Sequence, residues 1–324
     1  MQRTSFSLLA FTLLATLPNL FLFADEASPS RQPAQVDPRI LAEVHKTFGP
    51  DFRVHLTPHY RIVYKASESF VSDVATQLER TYATFHSAFT EAGFTLRPYS
   101  KRYVCVLFGD YEDFLDYQRE ERGKEPQQKG GGYYSGKTNR ITFFDEHSRE
   151  HRKRRPISDK TKNLSKTSHE AAHQLAFNTG IQKRGVLQPL WLGEGLASAF
   201  EFVKTDQPFG PATENFGLRM SQLGRMQRMG KLMPLPTLVT ISGKDRSQVN
   251  LGVAYAQGSA FFRFLFQKRP RELRAYLEIL AKQRRGPRSS ESLLREFESA
   301  MGPIKDLEPE WKVFLRQLRS PAPR

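Results

Sequence analysis

The sequence predicts an α+β fold, with a small mixed sheet and helices in the first half of the chain and mostly helices in the second half. Short apolar or alternating stretches, typical of strands, lie before residue 145. From about Pro208 onward the pattern predicts helices almost throughout. About 300 residues follow the apolar N-terminal segment, a length that suits one compact unit of two subdomains.

The predicted N-terminal subdomain, residues 51–206, has its first strand at His59–Lys65, where apolar and polar residues largely alternate. A long helix follows, because apolar residues recur every three or four positions: Phe70, Val74, Leu78, Tyr82, Phe85 and Phe89. Tyr103–Phe108 is continuously apolar, which predicts a strand buried on both faces. Asp110 then caps a short helix that extends to about Arg119.

A hairpin is predicted next. Its first strand contains Tyr133 and Tyr134, the chain turns near Asn139, and the second strand is Ile141–Phe144. The predicted helical subdomain covers residues 207–320. Its helices are expected near 214–228, 252–268, 270–284, 289–301 and 308–318, with a proline-containing connector over Leu232–Ile241.

Residues 1–24 are predicted to be a secretory signal peptide. Arg3 supplies positive charge, Leu8–Ala24 is an apolar run, and Leu22-Phe23-Ala24 offers a cleavage site. We therefore expect a secreted or periplasmic protein with no membrane span once the signal is removed, and an uncleaved anchor is the alternative. Residues 25–50, rich in Pro, Ser, Ala and charge, are predicted to be a linker.

The composition limits the classes of partner. The 49 Lys and Arg residues exceed the 34 Asp and Glu residues and give a net charge of +15. Such a charge favours contact with a polyanion such as an anionic envelope surface, although solubility alone would also account for it. No nucleic-acid-binding motif is present, so no nucleic-acid partner is expected. Cys105 is the only cysteine; internal disulfides are excluded, and its apolar flanks predict a buried strand residue.

The segment His169-Glu170-Ala171-Ala172-His173 is an H-E-x-x-H motif. Residues four apart lie on one face of a helix, so both imidazoles can bind one metal ion while the glutamate reaches a metal-bound water. An alternative is that Thr167–Glu170 forms a capping box at a helix start, which would give Glu170 a purely structural role.

Glu194 is the candidate third ligand, because a hydrolytic zinc site takes three protein ligands and leaves one position for water. It lies in the next predicted helix, which begins just after Pro189. Gly193 and Gly195 flank it, and their missing side chains would allow close backbone approach. Taken alone, Glu194 would be interpreted as a surface glutamate; beside the histidine pair, the ligand interpretation is preferred.

At these residues the chain resembles the gluzincin metallopeptidases. The stretch Trp191–Glu201 matches the W-L-x-E-G-x-A-x-x-x-E context of that family. Within the group it is similar to peptidase-MA-like proteins and to a secreted bacterial domain family of unknown function. The resemblance implies a zincin-like fold with the metal site between the two subdomains. It also implies Zn²⁺ held by His169, His173 and Glu194, with Glu170 as general base.

The resemblance extends more loosely over residues 59–268. Tyr255 and the small and apolar residues after it are similar to a family helix whose tyrosine donates a hydrogen bond to the developing oxyanion. A core aromatic is the alternative for Tyr255. Glu201 could orient a ligand histidine, but a solvated glutamate is the preferred interpretation. Some gluzincins carry the orienting acid four residues after the ligand, and this chain has Ser198 there.

The sequence therefore predicts a zinc-dependent metallopeptidase that acts on a peptide or protein substrate. The absence of a clear glutamate-bearing exopeptidase motif favours an endopeptidase. The resemblance suggests that Tyr133–Gly136 pairs with an extended peptide by strand addition, an ordinary hairpin being the alternative. The alternative function is a noncatalytic zinc-containing protein that binds envelope polyanions on a peptidase scaffold, and zinc hydrolysis of a non-peptide bond is a third possibility.

Overall fold

The sheet contains five short strands. They are β1 (Arg53–Leu56), β2 (Tyr60–Lys65), β3 (Tyr103–Phe108), β4 (Gly132–Ser135) and β5 (Arg140–Phe144). In the sheet they follow the order β1-β2-β3-β5-β4. The three middle strands are parallel, and the two outer strands run antiparallel to their neighbours. The sheet is therefore mixed, as predicted, and β4 forms one of its edges.

The computed structural model describes residues 36–123, 131–147, 160–214, 219–245 and 249–318. From Val36 onward the chain forms one compact unit. The predicted signal peptide and the first part of the predicted linker lie outside the described residues. In the part of the chain that the structure describes, no helix combines the length and the apolarity needed to cross a membrane.

Eleven α-helices occur in the described ranges. The first three are α1 (Pro38–Phe48), α2 (Glu68–Glu91) and α3 (Tyr111–Arg122). The middle ones are α4 (Lys160–Asn178), α5 (Leu190–Ser198), α6 (Arg219–Arg228) and α7 (Leu235–Thr240). The last are α8 (Leu251–Lys268), α9 (Pro270–Lys282), α10 (Ser290–Met301) and α11 (Ile304–Gln317). A short 3₁₀ turn occupies Gly243–Asp245.

The central strand β3 is covered on both faces, as its continuous apolar sequence predicts. Cys105 and Leu107 belong to the main hydrophobic core, whereas Val106 and Phe108 belong to a smaller core on the other face of the sheet. Successive side chains of a strand point to opposite faces, so one strand can supply both cores. Burial raises the pKa of the Cys105 thiol well above its ordinary value, which agrees with an inert core residue.

The main core continues from the sheet into the helical half. It includes residues from Tyr60 in β2 to Leu315 in α11. Trp191 of α5 is fully buried, and its ring lies 5.1 Å from that of Phe261 in α8 and 5.8 Å from that of Tyr276 in α9. The predicted boundary at residues 206 and 207 falls between α5 and α6. Because the main core contains residues from both sides of it, the two halves share one core.

The structure differs from the sequence prediction at three elements. The helix α1 occupies part of the predicted linker, and its start is stabilised by Asp37, whose side chain accepts a hydrogen bond from the Arg39 amide. The strand β1 is short and half-exposed, without clear alternation. The helix α7 lies in the predicted connector. Its prolines are tolerated because the first helical turn needs no internal N–H donor.

Candidate metal site

The helix α4 places the two motif histidines on one face. Their ring centroids lie 4.9 Å apart. Ala171, Ala172 and Leu175 of the same helix are fully buried. Because α4 begins at Lys160 in the described chain, Thr167–Glu170 lies within the helix. The capping-box alternative is therefore wrong.

The helix α5 brings Glu194 to the histidine pair. The chain leaves α4 through Gly180, whose φ of 85° favours glycine, and enters α5 after Pro189. The Leu190 amide donates a 2.7 Å hydrogen bond to the Ile241 carbonyl, which ties the start of α5 to the end of α7. In this position Glu194 Oε2 lies 3.3 Å from His169 Nε2 and 3.6 Å from His173 Nε2.

These distances suit ligands of one ion. Two atoms bound at about 2.05 Å to a tetrahedral zinc lie roughly 3.3 Å from each other. The three ligand atoms, from His169, His173 and Glu194, all lie within 4.8 Å of one another. Two imidazole nitrogens and one carboxylate oxygen form a donor set that several divalent metals accept. The group could therefore hold a metal ion, and its geometry leaves the identity of the metal open.

Only one of the two glycines beside Glu194 serves close packing. A Cβ on Gly195 would lie 2.5 Å from the carbonyl oxygen of Gly258 in α8, so the two helices cross with their backbones in contact. A Cβ on Gly193 would meet nothing within 4 Å. The expectation of close approach is confirmed at Gly195 and wrong at Gly193, which faces the cavity beside the site.

The ligands are electrostatically coupled. Burial alone would lower the pKa of His169, but hydrogen bonds to Glu194 and Glu201 outweigh it and raise the pKa to about 10. Burial alone would raise the pKa of Glu194, but the hydrogen bonds from His169 and His173 bring it well below its ordinary value. Since a metal ligand must be unprotonated, a divalent cation here would take the place of the shared proton.

Glu201 orients His169, contrary to the preferred interpretation of a solvated glutamate. Its side chain is buried, and its Oε1 lies 3.0 Å from His169 Nδ1, the ring nitrogen opposite the ligand atom. Arg219 of α6 donates to both oxygens of the same carboxylate, from Nε at 2.8 Å and from Nη2 at 2.6 Å. The sequence prediction missed Arg219. It lies 18 residues after Glu201, and no local sequence pattern indicates that the two side chains meet.

Tyr255 of α8 also reaches the site. Its ring lies 6.5 Å from the ring of His169 and nearly parallel to it. The guanidinium of Arg219 lies 5.2 Å above the centre of the Tyr255 ring. Tyr255 is half-buried and lines the same cavity as the ligands, so the interpretation of a plain core aromatic does not describe it.

A cavity of about 620 Å³ lies over the ligand group. Glu170, His173 and Tyr255 line it, together with Gly132 and Tyr134 of the edge strand β4. The Tyr134 ring stacks on His173 with 6.4 Å between centroids. The structure therefore brings the motif residues, the carboxylate of Glu194, Tyr255 and the edge strand to one cavity.

A family model described as "Protein of unknown function (DUF1570)" matches residues 163–287. No curated protein matches the chain significantly. The matched segment begins within α4 and ends just after α9. It contains every residue that the sequence predicts for the site: His169, Glu170, His173, Glu194 and Tyr255.

Proposed function

We propose that this chain is a zinc-dependent metallopeptidase that hydrolyses peptide bonds through an activated water, with Glu170 as general base. The observation that carries the proposal is the approach of Glu194 to both motif histidines, at 3.3 and 3.6 Å, beside Glu170 in one cavity. Two histidines and a glutamate are the ligand set of zinc peptidases, in which a fourth position stays open for water.

Zinc, when bound by His169, His173 and Glu194, would lower the pKa of a coordinated water to about 7 and polarise a substrate carbonyl. Glu170 takes a proton from the attacking water and delivers it to the leaving amine. Tyr255 donates a hydrogen bond to the oxygen that gains negative charge in the transition state. The proposed roles use only groups that line the same cavity.

The edge strand β4 supports a peptide as the substrate. Among the described strands, β4 pairs only with β5, and it lines the cavity at Gly132, Tyr133 and Tyr134. An extended peptide can add to such an edge through main-chain hydrogen bonds, which require no particular substrate side chains. A cleft open along a strand accommodates the interior of a chain, so we propose endopeptidase action.

The N-terminal sequence supports an activity outside the cytoplasm as part of the proposal. An apolar run behind Arg3 with a following cleavage site is typical of an export signal. The alternative function is a noncatalytic zinc-containing protein that uses its net charge of +15 to hold envelope polyanions. That alternative provides no role for Glu170, whose side chain lines the cavity beside the metal ligands.

The test is a cleavage assay over a peptide library with the purified chain, zinc-supplemented or treated with a chelator. We expect cleavage that the chelator abolishes and zinc restores. Glu170→Gln should retain zinc and lose at least about 100-fold in turnover, because it removes the general base. The matched control is Glu278→Gln on the exposed face of α9, which should cleave like the wild type. Normal cleavage by Glu170→Gln would refute the assigned base, and zinc binding without any cleavage would favour the noncatalytic alternative.

A further inference from the structure

Two glutamines in the wall of the site cavity have side-chain amide atoms that form no hydrogen bond with any described residue. Gln182 is 2% exposed, and its Nε2 donates a 3.2 Å hydrogen bond to the Leu192 carbonyl. Its Oε1 is buried and finds no partner among the described residues. Neither amide atom of the half-buried Gln188 has a partner there, although both atoms are buried. Both side chains line the cavity that contains Glu170 and His173.

Unpaired buried amide atoms are costly. Leaving one without a hydrogen bond forfeits the hydration that it would have in water, and folded proteins pair the great majority of such groups. Here three unpaired atoms belong to two side chains that line one cavity: Oε1 of Gln182, and Oε1 and Nε2 of Gln188. The Leu192 bond fixes the Gln182 amide with its oxygen free. The Gln188 side-chain amide can turn toward a ligand without breaking a hydrogen bond to any described residue.

This part of the cavity lies close to the metal ligands. Phe177 follows His173 by one turn of α4, an axial distance of about 6 Å. The Tyr134 ring stacks on both, 6.4 Å from His173 and 5.8 Å from Phe177. The backbone N–H of Gln182 donates to the carbonyl of Ala176, next to Phe177. An extended peptide advances about 3.4 Å per residue, so a side chain bound here lies within two residues of the bond at the metal.

The three free atoms select for an uncharged ligand group. A carboxylate only accepts hydrogen bonds, and two of the three atoms are themselves acceptors. A cationic side chain only donates hydrogen bonds, so it would leave Nε2 of Gln188 without an acceptor. A carboxamide offers both a donor and an acceptor and carries no charge, so it can satisfy all three atoms without burying an unpaired ion.

We propose that Gln182 and Gln188 form a substrate subsite for a carboxamide side chain, that of Gln or Asn, next to the cleaved bond. That the bound group belongs to a substrate rests on the proposed peptidase function. The binding preference itself requires no catalysis. Phe177 and Tyr134 supply the apolar walls against which the methylene groups of such a side chain pack.

The test measures peptide binding to zinc-supplemented Glu170→Gln, in which turnover does not intervene. Blocked alanine-based hexapeptides carry Gln, Met, Glu or Lys at one central position or the next. We expect the Gln peptide to bind about tenfold more tightly than the Met peptide at one of the two positions, which corresponds to about 1.4 kcal/mol. The Glu and Lys peptides should bind no better than the Met peptide.

Adding Gln188→Met should reduce the Gln preference to within about twofold, since Met keeps the length of the side chain and removes the amide. The control, Gln283→Met, changes another half-buried glutamine that does not line the cavity, and the preference should remain. Equal binding of the four peptides, or a Gln preference that survives Gln188→Met, would overturn the subsite. Wild-type cleavage without amide preference would overturn the subsite alone, whereas amide-selective binding without wild-type cleavage would overturn the peptidase function alone.

Discussion

Glu201 shows how a single side chain can organise the site without being a ligand. It accepts from His169 on the nitrogen opposite the ligand atom, and Arg219 holds both of its oxygens. This bond selects the tautomer that leaves Nε2 of His169 free for a metal. Arg219 also lies over the ring of Tyr255, so one arginine contacts the groups on both sides of the site.

We expect Glu201→Ala to weaken zinc binding by about 10–100-fold, because the imidazole of His169 loses the partner that orients it. Glu201→Gln should lose less, since an amide oxygen can still accept from Nδ1. Zinc affinity measured by competition with a chromophoric chelator checks both variants. Equal zinc affinity of Glu201→Ala and the wild type would show that the hydrogen bond to His169 does not contribute to zinc binding.

The two glutamines of the cavity wall illustrate a different kind of residue. Three of the four side-chain amide atoms of Gln182 and Gln188 have no hydrogen-bond partner among the described residues. Their cost to the folded state has a physical explanation if a ligand supplies the missing hydrogen bonds. The peptide-binding comparison with Gln188→Met decides whether it does.

The crossing of α5 and α8 is the element contact that positions Glu194. Gly195 lies against Gly258, where a Cβ on Gly258 would in turn come within 3.1 Å of the Cα of Trp191. Backbones can approach this closely only where both helices lack side chains. The same helix α8 carries Tyr255, so one crossing sets the distance between a proposed ligand and the proposed oxyanion donor.

We expect Gly195→Ala to destabilise the fold by up to about 2 kcal/mol. The added methyl meets the Gly258 carbonyl, at a cost of about 1–3 kcal/mol, which the gain of about 1 kcal/mol in helix propensity partly offsets. The matched variant in the same helix is Gly193→Ala, whose methyl meets open space and should not destabilise. Denaturant unfolding of both variants checks the prediction, and similar midpoints for the two would contradict it.

The helix α8 also organises the chain that follows α5. Arg263 is fully buried and donates to three carbonyls, those of Ala199, Gly210 and Thr213, at 2.6 to 2.9 Å. Burial lowers its pKa to about 9, and the nearby Glu201 carboxylate opposes that shift. The arginine holds in place the loop that carries Glu201 out of α5, and so connects the helical half to the orientation of His169.

In the molecule as a whole, the ligand group joins two elements that one core already packs together. His169 and His173 come from α4 and Glu194 comes from α5, and both helices bury residues in the main core. An ion bound by all three residues binds the folded chain and not the unfolded one. Binding of that kind stabilises the folded state by mass action.

We expect saturating zinc to raise the thermal midpoint of the metal-free chain by roughly 4 °C. An ion present at 100 times its Kd contributes about 2.7 kcal/mol, and 1 kcal/mol shifts the midpoint of a compact unit of about 290 residues by about 1.6 °C. Calorimetry of the chelator-treated chain with and without zinc measures the shift. The control is Glu194→Ala, for which the shift should largely disappear. An equal shift in that variant would place the bound zinc elsewhere.

Much of the fold could be predicted from the sequence because its signals are local. The strand β3 and the helix α2 follow from runs and spacings within single segments, and the His169–His173 pair follows from the helical repeat. The third candidate ligand, Glu194, could be predicted through the motif around Trp191. Where local signals were weak or were outweighed by composition, as in β1 and α1, the prediction failed.

The remaining features depend on which distant segments meet. The bond of Glu201 to His169 spans 32 residues, and its pair with Arg219 spans 18, with no periodic pattern that links them. Gly195 was expected to allow close approach, but the partner that it approaches, Gly258, emerges only when α5 crosses α8. Side chains that meet by long-range packing leave no repeat in the chain, because their contact depends on chain closure around the common core and not on the conformation of neighbouring residues.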